Sequence, residues 1–481
     1  MSEAQPKSWT GSFEESRPPR AGTAIPNRLR PMTDLSHLAF YIETFGCQMN
    51  ENDSEQIAGV LDAAGARRAA SPEASGLVIV NTCAVRAKSE EKLYSYLGRL
   101  RGLKERRGLV IAVAGCVAQL HRGGLSAGRP FVDIVIGPDN YHRLPELLAA
   151  GGAGARVLTA WSSGWNEEER RLQVRASPSS AFVTIMEGCD NFCAYCIVPF
   201  TRGREKFRPL PAVLSDVEAL ARSGYREIQF LGQNVNAYRD ADTGAAFPDL
   251  LDRASAIPGP EWIRFITSHP RSFGPEIIAA MARSRTVCRQ LHLPLQSGSS
   301  AVLDRMRRGY SRSDYLDKVS ALREAMPGIH LSTDIIVGFP GETEEEFRET
   351  MSALEEIRFS NIFSFRYSPR PGTAAARTAD DVPLEVKRRR LAEVQALQKS
   401  IQAEIHRGIV GRTIRVLGAG RSRKDPAVFS GRSEGSQVVN FTAPGDPAGR
   451  FVQVRITGAG PYSLRGEAAP FDPSGSVDYR P

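Results

Sequence analysis

From about Ala39 to Ala150, short apolar runs alternate with stretches whose apolar residues recur at helical spacing: LAFYIETFG, NENDSEQIAGVLDAAG, GLVIVNTC, SEEKLYSYLGRLRG, LVIAVAGC, VDIVIG and YHRLPELLAA. This alternation predicts an α/β unit with a mostly parallel sheet. Gly151 to Ser180 is rich in Gly, Ala and Ser and reads as a linker. A second series opens at Ala181, with strands AFVTIME, EIQFLGQNV, WIRFITS, QLHLPL, HLSTDIIVGF and IFSFRYS, and helical segments such as PAVLSDVEALARSG and SRSDYLDKVSALREAM between them. Six such units fall short of the eight of a closed barrel, so an open six-unit α/β barrel is expected. Leu384, Leu391, Val394, Ile401 and Ile405 predict a helix over Leu384–His406, with the KRRR run at Lys387 to Arg390 on its polar side. After it the period shortens to two, in TIRVLG, AVFSGR, QVVNFTA and RFVQVRITG, as in a small antiparallel barrel.

Length and charge refine this division. A chain of 481 residues exceeds one ordinary hydrophobic core. The expected organisation is a disordered extension over 1–36, an α/β domain over 37–153, the open barrel over 175–406, the small barrel over 407–469 and a polar tail over 470–481. No apolar run reaches the roughly 20 residues of a membrane helix, and the first residues lack the apolar core of a secretory signal. A cytoplasmic protein without membrane attachment is expected. The formal charge of +8 favours a polyanionic partner.

Seven cysteines are too few for a disulfide scaffold, and six fall into two groups of three. In EGCDNFCAYCIVPFTRGRE, Cys189, Cys193 and Cys196 form a CxxxCxxC loop just beyond the first barrel strand. A structural zinc wants four protein ligands, and no fourth Cys or nearby His completes the set. A four-iron cluster with one iron left open accounts for the missing ligand, and that iron can take the amino and carboxylate groups of S-adenosylmethionine (SAM). Cys47, Cys83 and Cys116 each stand at or just after a strand end, where ligands gather in parallel sheets, so they could converge. Cys288 matches no motif and reads as a buried structural thiol.

CxxxCxxC with Tyr195 before the last Cys resembles the radical SAM superfamily. FGCQMNENDSE, VNTCAVRAKSEEK and AGCVAQ resemble the cysteine motifs of the methylthiotransferase family within it, as do HLPLQSGS, MRRGYSRSDY, TDIIVGFPGET and YSPRPGTAAA. The segment from GRTIRVLGAG to VRITGAGPYSLRGE resembles the TRAM domain, an RNA-binding barrel. The resemblance spans about Leu38 to Glu467. It implies a flavodoxin-like amino-terminal α/β domain, a central open (β/α)6 radical SAM partial barrel and a carboxy-terminal TRAM barrel. It also implies a second [4Fe-4S] cluster on Cys47, Cys83 and Cys116, with an iron free to carry sulfur.

The implied reaction inserts sulfur at C2 of N6-isopentenyladenosine-37 of tRNA and methylates it. One SAM supplies the radical and another the methyl group. Related family members act on a ribosomal-protein aspartate or on threonylcarbamoyl-adenosine-37. An RNA-binding metalloprotein without turnover is the reading from another class. Tyr195, Gln233, Gln296 and Asp334 are placed at the cofactor, and Asn234 carries the same argument as Gln233. In GFPGET the glycines permit a turn, with Thr343 and Glu346 as a capping box. The expected partners are the tRNA anticodon stem-loop and a reducing donor such as flavodoxin or ferredoxin, and the expected state is a monomer. In the terminal barrel Arg407, Arg412, Arg415, Arg421, Arg423, Lys424, Arg432, Arg450, Arg455 and Arg465 would grip phosphates, and Phe429, Phe441 and Tyr462 would stack on bases.

Overall fold

A computed structural model describes residues 34–150, 154–162, 164–167, 172–422 and 424–469. Residues 1–33, nearly all of the expected extension, Arg423 and the tail from 470 lie outside the described residues.

Six parallel strands build the first sheet: β1 (Ala39–Phe45), β2 (Arg67–Arg68), β3 (Leu77–Thr82), β4 (Val110–Ala114), β5 (Ile134–Ile136) and β6 (Arg156–Leu158), in the order β2-β1-β3-β4-β5-β6. Alternation along β3 explains why both faces are covered. Val78 and Val80 pack with Leu93, Leu97 and Leu100 of helix α2 (Ala87–Arg107), whereas Leu77 and Ile79 pack with Ile57 and Leu61 of helix α1 (Gln48–Ala63) on the other face. This is the flavodoxin-like order with one added edge strand. That strand, β6, lies in the stretch expected to be a linker; three residues paired to β5 leave little periodic signal.

The central domain holds β7 (Ser180–Thr184), the short antiparallel ribbon β8 (Met186–Glu187) and β9 (Lys206–Phe207), then β10 (Glu227–Leu231), β11 (Trp262–Phe265), β12 (Gln290–His292), β13 (His330–Val337) and β14 (Asn361–Arg366). Strands β7, β10 and β11 pair in parallel, as do β12, β13 and β14, and a parallel bridge from Ile263 to Val287 joins the two groups. The result is the open six-stranded barrel. Leu331, Ile335 and Val337 of β13 pack outward among residues of the surrounding helices, leaving half-buried Ser332 and Asp334 on the lumen side.

The helix expected from Leu384 runs Leu384–Arg407. Its KRRR run is not uniformly solvated: Lys387 and Arg390 are buried, against Asp380 and Glu342, while Arg388 and Arg389 stay exposed. The last domain is a closed barrel of β15 (Thr413–Arg421), β16 (Phe429–Ser433), β17 (Val438–Thr442), β18 (Phe451–Ala459) and β19 (Leu464–Ala468), in the order β15-β16-β17-β19-β18. It is not wholly antiparallel, because β17 and β19 pair in parallel to complete closure. The turn between β16 and β17 plugs the amino-terminal end of the central barrel. There Arg264 Nη2 donates to Ser433 O at 2.9 Å and Gln437 Nε2 lies 3.2 Å from His330 Nδ1. Cys288 is buried with Trp262 and Leu417 at this seam, and burial pushes its thiol far up, as suits a structural residue.

Candidate active site

Cys47, Cys83 and Cys116 come from the carboxyl ends of the adjacent strands β1, β3 and β4 and so meet on one edge of the sheet. Asn50 and Asn81 fix the first loop: Asn50 Nδ2 donates to Asn81 Oδ1 at 3.1 Å, Asn81 Nδ2 to Asn50 O at 2.8 Å, and Cys47 N to Asn50 Oδ1 at 3.4 Å. Cys116 opens its helix after Gly115, whose φ of +88° and Cβ position, 2.3 Å from Asn81 Oδ1, admit only glycine without rearrangement. A hydrogen bond from Cys83 holds the Cys47 thiol down to about 6, against the upward push of burial, and Cys83 rises in turn. Burial also raises Cys116.

The second triad lies in the loop after β8. Asn191 Nδ2 donates to Cys189 Sγ at 3.2 Å, and Arg308 Nη1 to Cys193 Sγ at 3.3 Å. His269 Nε2 stands 3.7 Å from Cys193 Sγ; its Nδ1 accepts from Arg271 N, so the network assigns the ring proton to Nε2, facing sulfur. Burial, with the charges of Arg308 and Arg271, pulls His269 down to about 2, so the ring is a neutral donor. Cys196 is pushed up to about 12 by burial.

The two edges face each other. Asn52 Nδ2 donates to Thr184 Oγ1 at 3.1 Å, Lys206 Nζ pairs with Asp139 at 2.8 Å, and Arg370 Nη2 donates to Val85 O at 2.8 Å. Arg202 follows the second triad on the same loop. It reaches across to Cys116 Sγ with Nε, at 3.3 Å, and to Asp53 with its two terminal nitrogens.

The polar residues expected at the cofactor gather at the carboxyl ends of the barrel strands. Gln233 Oε1 accepts from Gly188 N, at the start of the cysteine loop, and buried Asn234 donates to Glu205 Oε1 at 3.3 Å. Gln296, at φ +72°, extends the pairing to β13, its N donating to Asp334 O at 2.9 Å. Asp334 Oδ2 lies 3.4 Å from His292 Nε2. Tyr195 is half-buried and packs with Val302, Met306, Phe339 and Tyr367. The glycines of GFPGET serve the turn: Gly338 has φ +69°, and a Cβ there would lie 2.3 Å from Lys387 Cγ. The expected box is formed, with Glu346 N donating to Thr343 Oγ1 and Thr343 N to Glu346 Oε2. Arg202, Arg308, His269 and Asp53 were given no role from the sequence, although Arg202, Arg308 and Asp53 lie within the motifs EGCDNFCAYCIVPFTRGRE, MRRGYSRSDY and FGCQMNENDSE; His269 lies in none of them.

This donor set fits iron–sulfur chemistry. Among the described residues no three His, Cys, Asp or Glu side chains close on one point, as a single ion would require. A cubane asks only that each thiolate bond a different iron. Thiols raised by burial are the ones a bound cationic cluster would deprotonate, and the N–H groups on Cys189 and Cys193 are suited to thiolate acceptors. The SAM side fits as well. Gln233 Nε2, Asn234 Oδ1, Ser268 Oγ and Gln296 Oε1 are buried with no partner within the protein, and Thr267 and Gln296 hold positive φ. Unsatisfied polar atoms and backbone strain mark a place prepared for a polar ligand.

Two expectations about the terminal barrel are corrected. Phe429 and Phe441 are 3% and 1% exposed in its core and cannot stack on bases; Tyr462, 73% exposed, can. In a five-stranded barrel the alternating aromatics were needed inside. Arg415 is engaged at the seam, pairing with Glu261 and stacking 3.8 Å from the Phe451 ring centroid, and is not free for phosphate.

Residues 183–354 match the Radical SAM superfamily, residues 39–137 the uncharacterized protein family UPF0004, and residues 408–469 the TRAM domain. The tRNA-2-methylthio-N(6)-dimethylallyladenosine synthase of Geobacter metallireducens is 46% identical over 90% of this chain and 98% of its own length; that of Burkholderia ambifaria is 46% identical over 89% and 96%. Among solved structures, the radical SAM methyltransferase TsrM of Kitasatospora setae, with cobalamin and a [4Fe-4S] cluster bound, superposes with a TM-score of 0.50 at 14% identity, covering 82% of this chain and 77% of that one, a likeness of fold alone. The chain belongs to the tRNA-2-methylthio-N(6)-dimethylallyladenosine synthase family of radical SAM methylthiotransferases.

Proposed function

We propose that the chain replaces the C2 hydrogen of N6-isopentenyladenosine-37 in tRNA by a methylthio group, with one [4Fe-4S] cluster on Cys189, Cys193 and Cys196 and a second on Cys47, Cys83 and Cys116. The observation that carries this reading is the placement of the two triads, each on the carboxyl edge of its own sheet, facing each other across the same cleft. When bound, SAM and the clusters supply the hydrogen-abstracting radical, the sulfur and the methyl group. The C2–H bond has no acidic proton, so no side-chain base is needed. In the SAM site Gln233, Asn234 and Gln296 offer their unpartnered polar atoms, Asp334 lines the lumen beside His292, and Tyr195 packs the cysteine loop. Arg308, His269 and Asn191 direct N–H groups at the cluster thiolates.

RNA is the substrate class, in keeping with the TRAM domain. Recognition of the anticodon stem-loop, reduction by a flavodoxin- or ferredoxin-type donor, a monomeric state and a cytoplasmic location complete the proposal. Among the described residues no helix is long and apolar enough to cross a membrane.

The test pairs two variants. Cys193→Ala is expected to abolish reductive cleavage of SAM, and Cys83→Ala to retain cleavage while stopping sulfur insertion, read by mass spectrometry of tRNA nucleosides. Equal loss of cleavage in both would undo the division of labour. Persistence of 2-methylthio-isopentenyladenosine in a deletion strain would refute the substrate.

A further inference from the structure

Arg202 joins the two halves of the cleft through one side chain. It is 3% exposed, and its backbone N–H closes the short helix Val198–Thr201 that follows Cys196. Nη1 donates to Asp53 Oδ1 at 3.2 Å and Nη2 to Asp53 Oδ2, which leaves the third direction of the guanidinium fork, Nε, for Cys116 Sγ at 3.3 Å. Tyr141 Oη also donates to Asp53, at 3.2 Å, so the carboxylate is held from two sides and aims the fork. The remaining charges facing Arg202 are Glu187, 3.8 Å from Nη1, and behind it Lys206, 3.7 Å from Glu187.

A buried ion pair can be a mere strut between domains, and the Asp53 contacts alone would serve that purpose. They leave the third contact unexplained. An N–H donor on a thiolate sulfur withdraws electron density from it, and hydrogen bonds to sulfur are among the levers that set a cluster's reduction potential. A fixed guanidinium charge acts in the same direction.

We propose that Arg202 is a positioning residue that fixes Cys116 through its Nε–H and raises the reduction potential of the cluster on Cys47, Cys83 and Cys116. The same side chain ties that thiolate to the loop carrying Cys196. This inference rests on the two-cluster reading above and goes beyond it by assigning a tuning residue.

The auxiliary cluster is read alone in the full-length chain with Cys189, Cys193 and Cys196 all changed to Ala, reconstituted anaerobically, assayed for iron and sulfide, and titrated electrochemically with electron paramagnetic resonance. Arg202→Gln by itself would strand the Asp53 carboxylate, so it is combined with Asp53→Asn, which substitutes a neutral hydrogen-bonding pair. The expected result is a lower midpoint potential in the double variant. Arg202→Lys, which keeps the charge but loses the fork, is expected to fall between it and the parent. Asp53→Asn alone removes the carboxylate that offsets the guanidinium and is expected to shift the potential upward, so the inference remains testable even if the double variant fails to fold. Iron bound with unchanged potentials across the variants overturns the inference and leaves Arg202 a strut. No iron in the parent of this series overturns the two-cluster reading and the inference with it.

Discussion

Arg264→Ala probes what holds the terminal barrel against the central one. Arg264 is buried and divides its hydrogen bonds between two domains. Nε donates to Glu227 Oε2 at 2.6 Å within the central barrel, while Nη2 donates to Ser433 O at 2.9 Å and Nη1 to Ser436 Oγ at 3.1 Å and to Glu434 O. Its guanidinium lies 4.7 Å from the Trp262 ring centroid. Truncation leaves the buried Glu227 carboxylate without its cation, a loss of about 3–5 kcal/mol for half of a buried pair. Ser180 Oγ and Gln229 Nε2 still donate to Glu227 Oε1, at 2.8 and 2.7 Å, which favours the lower end. Glu434 O loses its Arg264 donor, which adds about 1–3 kcal/mol if it stays dry and less once water enters, whereas Ser433 O still accepts from Ser436 N at 3.0 Å.

Opening the seam hydrates all three groups at once, so the cheapest response to the substitution is local unseating of the turn at 433–437. Hydrogen exchange followed by mass spectrometry is expected to show lost protection there and at Val287 to Gln290, with a lowered thermal midpoint. Arg264→Met with Glu227→Gln removes the buried charge as well, and is expected to recover most of the midpoint while the seam stays open. An Arg264→Ala chain that loses less than about 1 kcal/mol and keeps its protection pattern would mean that the buried ion pair does not hold the seam, and that its apolar contacts, such as Trp262 on Phe451, do.

Phe441→Ala, which empties the core of the terminal barrel, is expected to cost about 3–5 kcal/mol by thermal or urea unfolding; Tyr462→Ala is expected to leave stability alone and to weaken RNA affinity by about 1–3 kcal/mol in a binding titration. Gly115→Ala forces a Cβ against Asn81 Oδ1 at φ +88° and is expected to lower both the thermal midpoint and the iron retained by the amino-terminal triad. Burial holds His330 down to about 4, with Glu434 opposing and His406 and Arg264 adding to the effect, so the folded chain binds this proton less readily than the unfolded chain. Stability therefore falls as pH drops from about 6.5 towards 4, by at most about 3 kcal/mol, and His330→Gln is expected to flatten that slope in unfolding measured across this range.

The features legible in the sequence were those encoded locally. CxxxCxxC puts three ligands in one loop, and the strand-end positions of Cys47, Cys83 and Cys116 suffice to bring them to one edge once the strands are recognised as parallel neighbours. The capping box at Thr343 and Glu346 is equally local. What stayed hidden depends on distant partners. Arg202 reads as a solvated charge until Asp53, 149 positions earlier, is folded against it, and Lys387 and Arg390 read as a polar face until the turn at Gly338 and Glu342 covers them. Phe429 and Phe441 alternate with polar residues in the same way whether they face a core or a ligand, and only barrel closure decides between the two.

Closure also explains why the terminal barrel sits where it does. Six strands cannot close on themselves, so polar and aromatic side chains that point into the central lumen need cover at both ends. At the carboxyl end the amino-terminal domain supplies it, through Asn52, Asp53 and Asp139. At the other end Arg264 and Glu227 would be a pair open to water, worth little, were it not for the turn at 433–437 seated over them. A module kept only for gripping RNA would not need its carbonyls inside another domain's barrel. Here the RNA-binding barrel is also the floor of the catalytic one, and a change at the seam acts on both.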